Sequence, residues 1–285
     1  MLFARTVAWA GSAIAPSQST WGQILIVGSE PGKRISEYVA ESYDPISNRF
    51  ILTAPPLDKG LSGASANVIM AGPNRKKVLV AGGSAEWGAR HTTELYDPAT
   101  NRFNRGPNLI KDRTDHHTAT DVGEGEILIA DAGSSEIYLP RLNSFVPGPR
   151  MQVERTDLTA TVISSGRNAR KILFAGGFIW ASYDEIQSGD YLPHNEGEIY
   201  DPANNRFDLG PPVNVGRSRH TATAITSGPN AGKILLTGGY NDRMLKDYEV
   251  ITVPLASTEL YDPATNTFAP RSATATMIIP RASHR

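Results

Sequence analysis

Five short apolar runs punctuate the chain, and most of them close in small residues. They are Ile24-Leu25-Ile26-Val27-Gly28, Val78-Leu79-Val80-Ala81-Gly82-Gly83, Ile127-Leu128-Ile129-Ala130, Ile172-Leu173-Phe174-Ala175-Gly176-Gly177 and Ile234-Leu235-Leu236-Thr237-Gly238-Gly239. A continuous apolar run this short, bounded by glycine, predicts a strand buried on both faces. A second extended segment precedes them, clearest as His117-Thr118-Ala119-Thr120, Leu158-Thr159-Ala160-Thr161 and His220-Thr221-Ala222-Thr223. Its small and β-branched residues suit a strand crowded at the centre of a radial array. No stretch carries a long helical period.

Downstream of each run stands the unit Glu-x-Tyr-Asp-Pro-x-x-Asn-x-Phe, written five times: Glu41 to Phe50, Glu94 to Phe103, Glu136 to Phe145, Glu198 to Phe207 and Glu259 to Phe268. Only Leu139 departs, taking the place of Asp in the third copy. The Tyr and Phe segments predict a third and a fourth strand, with a turn between them. In that turn Asp caps its own backbone, Pro presets φ, and Asn tolerates the left-handed conformation. Four short antiparallel strands make one sheet per repeat, and such a sheet cannot bury both faces alone. Successive sheets therefore stack around an axis, which predicts an all-β propeller. The repeats run roughly over 1–54, 55–107, 108–149, 150–211 and 212–271 in a single domain, with the start of a sixth at 280–285. The recurring Tyr and Phe are expected to pack between blades.

Composition narrows the function classes. Lys plus Arg number 28 against 29 Asp plus Glu, a formal net charge of -1. That balance lacks the basic footprint of a general nucleic-acid binder. There is no Cys, so no disulfide, thiolate metal site or cysteine nucleophile can form, and redox compartment is unreadable from thiols. No apolar run approaches membrane-spanning length. Met1 to Ala15 faintly resembles a signal peptide, but its apolar stretch is short and broken by Gly11 and Ser12. Thr6 to Ala10 are read instead as part of the first strand.

The spacing Arg-x-x-His-Thr-Ala-Thr, then apolar-Gly-Gly, then Glu-Leu-Tyr-Asp-Pro-Ala-Thr-Asn-x-Phe resembles bacterial kelch repeats across essentially the whole chain. The resemblance implies a four-stranded blade per repeat, the His-Thr-Ala-Thr strand innermost and the Phe strand outermost, as in the central domain of galactose oxidase. The third copy departs in Ala130-Asp131-Ala132-Gly133, the first in Gly28-Ser29, and Phe stands where many kelch repeats carry Trp. Kelch propellers commonly have six or seven blades. Here five complete copies precede Pro280-Arg281-Ala282-Ser283-His284-Arg285, which reads as the opening of a sixth inner strand. Five blades plus that stub are expected.

Alternating strand direction places the loop leading into the inner strand and the loop from second to third strand on one face. Arg113, His116, His117, Arg155, Arg217, Arg219, His220, Arg281 and His284 collect before the inner strands. The second-to-third loops are long only in blades four and five, about 20 residues each, Phe178 to Glu196 and Tyr240 to Thr258. Long loops on a rigid scaffold are where function usually sits. The candidate ligand-binding residues are therefore Trp180, Tyr183, Asp184, Tyr191, His194, Arg217, Arg219, His220, Tyr240 and Arg243. The alternative for the arginines is structural: pairing with the recurring Glu, because buried charges need partners.

The expectation is a non-catalytic scaffold that binds a protein or carbohydrate through this face, without a cofactor. Adjacent His116 and His117 point to opposite faces of an extended segment and cannot readily share an ion, and no paired metal motif appears. Copper-radical chemistry of the galactose oxidase kind requires a tyrosine cross-linked to a cysteine, which this chain lacks. The competing expectation is a propeller enzyme using acid-base groups on a sugar, as an epimerase or lyase does. No residue spacing singles out a catalytic pair.

Overall fold

The computed structural model describes residues 11–15, 23–29, 38–58, 63–85, 88–113, 117–178, 195–241, 243–244 and 250–282. Five four-stranded antiparallel sheets follow one another along the chain, and within each the strands pair in chain order. Blade one comprises Gly11–Ala15, Gln23–Ser29, Tyr38–Asp44 and Arg49–Leu52. Blade two comprises Ser65–Val68, Val78–Ala81, Thr93–Asp97 and Arg102–Arg105. Blade three comprises Thr118–Gly123, Glu126–Asp131, Ser134–Leu139 and Ser144–Pro147. Blade four comprises Thr159–Val162, Ile172–Ala175, Gly197–Asp201 and Arg206–Gly210. Blade five comprises Thr221–Ala224, Ile234–Thr237, Thr258–Asp262 and Thr267–Phe268. The strand expected over Thr6 to Ala10 lies outside the described residues. No helix among them is long and apolar enough to cross a membrane.

The described residues group into two compact units: 1–129 with 136–148, and 130–135 with 149–285. In the first unit the Tyr and Phe side of blade two, with Val78, Val80, Tyr96 and Phe103, packs on Leu25, Val27 and Ala40 of blade one. Blade three repeats the arrangement, Ile127, Ile129 and Tyr138 meeting Leu79, Ala81 and Leu95 of blade two. In the second unit Ile234, Leu236, Tyr261 and Phe268 of blade five meet Leu173, Ala175 and Ile199 of blade four. Blade two thus buries one face on blade one and the other under blade three. This is why the second strands are apolar without alternation.

The turn chemistry holds in every copy. Asn48, Asn101, Asn143, Asn205 and Asn266 all have positive φ, between 47° and 58°. Each offers its side-chain oxygen to the hydroxyl of the Tyr five residues earlier, at 2.9–3.0 Å. The same Tyr ring packs on the Phe two residues beyond the Asn, at centroid distances of 4.9–5.6 Å. In four copies the Asp side chain accepts from the backbone N–H two residues on. In the third, the Leu139 carbonyl accepts from Leu142 and closes the turn by backbone alone. Tyr, Asn and Phe therefore form one locked corner per blade.

Candidate functional site

Register fixes which ends of the strands share a face. In blade four Thr159 pairs with Ala175 and Phe174 with Glu198, so the start of the inner strand, the end of the second and the start of the third lie together. Blade five matches it, with Thr221 opposite Thr237 and Thr237 opposite Thr258. Both blades lie in the second unit, so Arg155–Leu158, Gly176–Phe178, Arg217–His220 and Gly238–Asn241 all open on this end.

The residues nearest the inner strands are mostly committed to the scaffold. The Arg217 guanidinium is fully buried and donates to Glu259 at 2.8 Å, to the Gly238 carbonyl at 2.8 Å and to the Ser257 carbonyl at 3.1 Å. Glu259 also accepts from the backbone N–H groups of Asn214 and Val215, at 2.6 and 2.9 Å. Arg155 does the same for Glu198 at 2.9 Å, and Gln152 N–H donates to that carboxylate at 2.5 Å. In the first unit Arg113 meets Glu136 at 2.9 Å and Ile110 N–H meets it at 2.7 Å. Burial pulls the Arg217 and Arg155 guanidinium groups below their ordinary range, and their carboxylate partners oppose that pull. The Glu198 carboxyl is pushed up by burial despite Arg155. Of the two readings of Arg217, the geometry gives it the structural one.

Each arginine also ties its blade to the one before. Gly83 N–H donates to the Arg113 carbonyl, Ala132 to that of Arg155, Gly177 to that of Arg217 and Gly239 to that of Arg281. His220 sits beneath the paired glycines, its Nε2 2.9 Å from Thr159 Oγ1 on the neighbouring inner strand. A Cβ on Gly176 (φ +64°) would lie 2.6 Å from the His220 ring and 2.4 Å from the Arg217 carbonyl. Glycine is required there because the next blade's lead-in presses directly on the backbone. His117 repeats the contact in the first unit, 3.0 Å from Ser65 Oγ. Arg217 and His220 are thus buried joints of the fold.

Two of the expected residues face solvent beside these joints. Arg219, half-exposed and with φ 52°, pairs through Nε with the buried Asp157 carboxylate at 3.0 Å, and its N–H donates to the Asp157 carbonyl. Tyr240, also half-buried, bridges Ser218 on one side and Pro254 on the other. Arg243 lies on the short strand Arg243–Met244, paired with Val250–Ile251, inside the blade-five insertion. Trp180, Tyr183, Asp184, Tyr191 and His194 lie outside the described residues, as do His116 and His284. Asp157 was missed as a candidate. It occupies in blade four the position that Arg219 occupies in blade five, and opposite charges at equivalent places in adjacent repeats were the available signal.

Among the solved structures similar to this chain is a fungal alcohol oxidase of the AA5 family in complex with copper, at 19% identity and a TM-score of 0.68, matched over 95% of this chain and 54% of its own. A second is YjhT, at 11% identity and the same TM-score, matched over 98% of this chain and 87% of that one. The fold is a kelch-type β-propeller. The chain spans about half the length of the oxidase it matches. No protein-family model and no curated protein matches it. The chain has no cysteine, so the tyrosine–cysteine group expected of galactose oxidase-type copper chemistry cannot form in it. Among the described residues, no group of three or more His, Asp or Glu could hold a metal ion.

Proposed function

We propose that this propeller is a non-catalytic scaffold that binds a protein or carbohydrate ligand through the loop face of blades four and five. The observation that supports this most directly is the division of labour on that face. Arg155, Arg217 and His220 are buried in the joints between blades. Arg219, in the lead-in to blade five, and Tyr240, where the blade-five insertion begins, remain partly open to solvent. A rigid sheet end that presents a guanidinium, a tyrosine and aromatic-rich loops suits flat or hydroxyl-bearing ligands, because ring faces cover apolar surface and Arg supplies directed donors.

The test is a glycan array and a pull-down with the purified chain. Trp180→Ala, Tyr183→Ala, Arg219→Ala and Tyr240→Ala are then compared for affinity toward whatever is captured. Loss of binding by at least one loop variant and one of the last two, with an unchanged melting temperature, is the expected result. Full affinity in all four variants would overturn the reading. Turnover of a captured sugar, followed by NMR, would replace it with an enzymatic one.

A further inference from the structure

The described part of the blade-five insertion is a two-stranded ribbon. Tyr240 bridges Pro254, the Asn241 N–H donates to the Val253 carbonyl at 2.9 Å, and Arg243 and Met244 pair with Ile251 and Val250. One antiparallel register accounts for all four contacts. At its base the ribbon is supported along the first strand, where Tyr240 and Ser218 exchange both backbone bonds, at 2.8 and 2.9 Å. Among the described residues no strand pairs with the outer edge of the second strand, and Thr252, Val253 and Pro254 are all exposed.

Alternation fixes which backbone groups face out. Asn241 and Val253 are bonded to each other, so Thr252 and Pro254 turn their backbone groups the other way, and Val250 follows with the same period. The outward donors are therefore the N–H groups of Val250 and Thr252. The outward acceptors are the carbonyls of Val250, Thr252 and Pro254, and Pro254 has no N–H. The edge runs Val250-Ile251-Thr252-Val253, four β-branched residues in succession without a charge. Such residues favour a sheet, yet a two-stranded ribbon is marginal in water and gains its stability from a third strand. An open edge of this kind is a template for another chain.

We infer that two copies of this chain pair through this edge, antiparallel about a two-fold axis at Thr252. In that register Thr252 faces its own counterpart, Val250 faces Pro254 and Ile251 faces Val253. Each Val250 N–H donates to the other copy's Pro254 carbonyl, and the two Thr252 residues exchange both bonds. Every outward donor from Val250 to Pro254 is then used. The charges agree with this register: the paired stretch carries none, and Glu249 falls opposite Leu255 rather than opposite a second Glu249. The contact is isologous, so it closes at two chains. It uses backbone groups of the ribbon and none of the side chains assigned to the ligand.

Sedimentation velocity on the 285-residue chain over a wide concentration range tests this. A two-chain species should grow with concentration. Thr252→Pro removes an outward N–H that the ribbon does not use, and should abolish pairing without moving the melting temperature. Thr252→Ala keeps that N–H and should pair as the parent does. Because the chain has no cysteine, Thr252→Cys gives a second reading that requires no loss of association. Bonded partners on antiparallel strands have Cα atoms about 5.5 Å apart, within disulfide reach. Mild oxidation should link Thr252→Cys into dimers under conditions that leave Thr265→Cys, at an exposed turn of the same blade, monomeric. A chain that is monomeric at every concentration, pairing that survives Thr252→Pro, or equal cross-linking of the two cysteine variants would each overturn the inference. So would a species larger than two chains, which a two-fold register forbids.

Discussion

Blades five and two hold the same glutamate in different ways. Glu259 is gripped by two backbone N–H groups and by Arg217, which also stitches Gly238 and Ser257. Glu94 is as deeply buried and receives the matching backbone donors from Leu57 and Asp58, at 2.9 and 2.6 Å. The arginine's place in that segment is taken by Gly60. The nearest charges on the described residues are Asp58 and Arg105, which pair with each other. Burial pushes the Glu94 carboxyl up, Asp58 pushes it further, and the two N–H groups with Arg105 pull it back. The backbone donors are thus the constant part of the socket, and the arginine is an added clamp that joins blade to blade.

The sharpest way to break the comparison is to make blade five resemble blade two. Arg217→Met leaves Glu259 charged and buried in a socket shaped around a guanidinium. Unfolding by urea should show a loss of about 3–5 kcal/mol, the usual cost of removing one partner of a buried ion pair. The double substitution Arg217→Met with Glu259→Gln should recover part of it. A loss below about 1 kcal/mol would mean that the backbone donors alone suffice and that blade two's arrangement is general.

The locked corner gives a second contrast of similar size. Phe207 is buried against Tyr200 and Phe174, with ring centroids 5.1 Å apart in both pairs, whereas Phe50 is half open. Phe207→Ala should cost about 3–5 kcal/mol and Phe50→Ala well under half of that, read from the same urea curves. Equal losses would mean that Phe50 is covered in solution. The turn beside it predicts a smaller effect. Asn205→Ala forces a residue with Cβ to hold φ 47° and removes the Tyr200 hydroxyl's acceptor, for about 1–3 kcal/mol. Asn205→Gly keeps the φ and should lose about 1 kcal/mol.

These corners explain how much could be read from sequence. Pro, Asn and Asp act within a few residues of themselves, so the turn between the third and fourth strands was legible, as were the apolar runs and the packing role of Tyr and Phe. The pairing of Arg113, Arg155 and Arg217 with Glu136, Glu198 and Glu259 was foreseen as one of two alternatives. The choice between them depended on how closely successive blades approach, and Gly176 against the Arg217 carbonyl shows that this distance is set by backbone contact, which residue types do not record. The Tyr-to-Asn hydrogen bond and the backbone half of the glutamate socket were not legible, since neither leaves a compositional trace beyond residues already assigned to packing and turns. Asp157 was legible only by setting adjacent repeats side by side, since its partner Arg219 holds the same position in the next one.

The smallest expected effect bears on blade two and carries a sign. The folded-state pKa of Glu94 is raised, so the folded protein holds its proton more tightly than the unfolded chain does. The carboxylate therefore costs stability at neutral pH, and that cost disappears as pH falls through the raised value toward the ordinary glutamate range near 4.5. Glu94→Gln keeps an oxygen for the Leu57 and Asp58 donors while removing the buried charge. Its stability should exceed that of the parent at neutral pH by less than any of the losses above, and the difference should close on acidification. Comparing the two proteins cancels Glu198, whose raised pKa acts in the same direction in both. A Glu94→Gln protein that is less stable at pH 7, by a margin that narrows with acid, would show instead that the two backbone donors and Arg105 more than offset burial. Blade two would then hold its glutamate by the backbone as firmly as blade five does with its arginine.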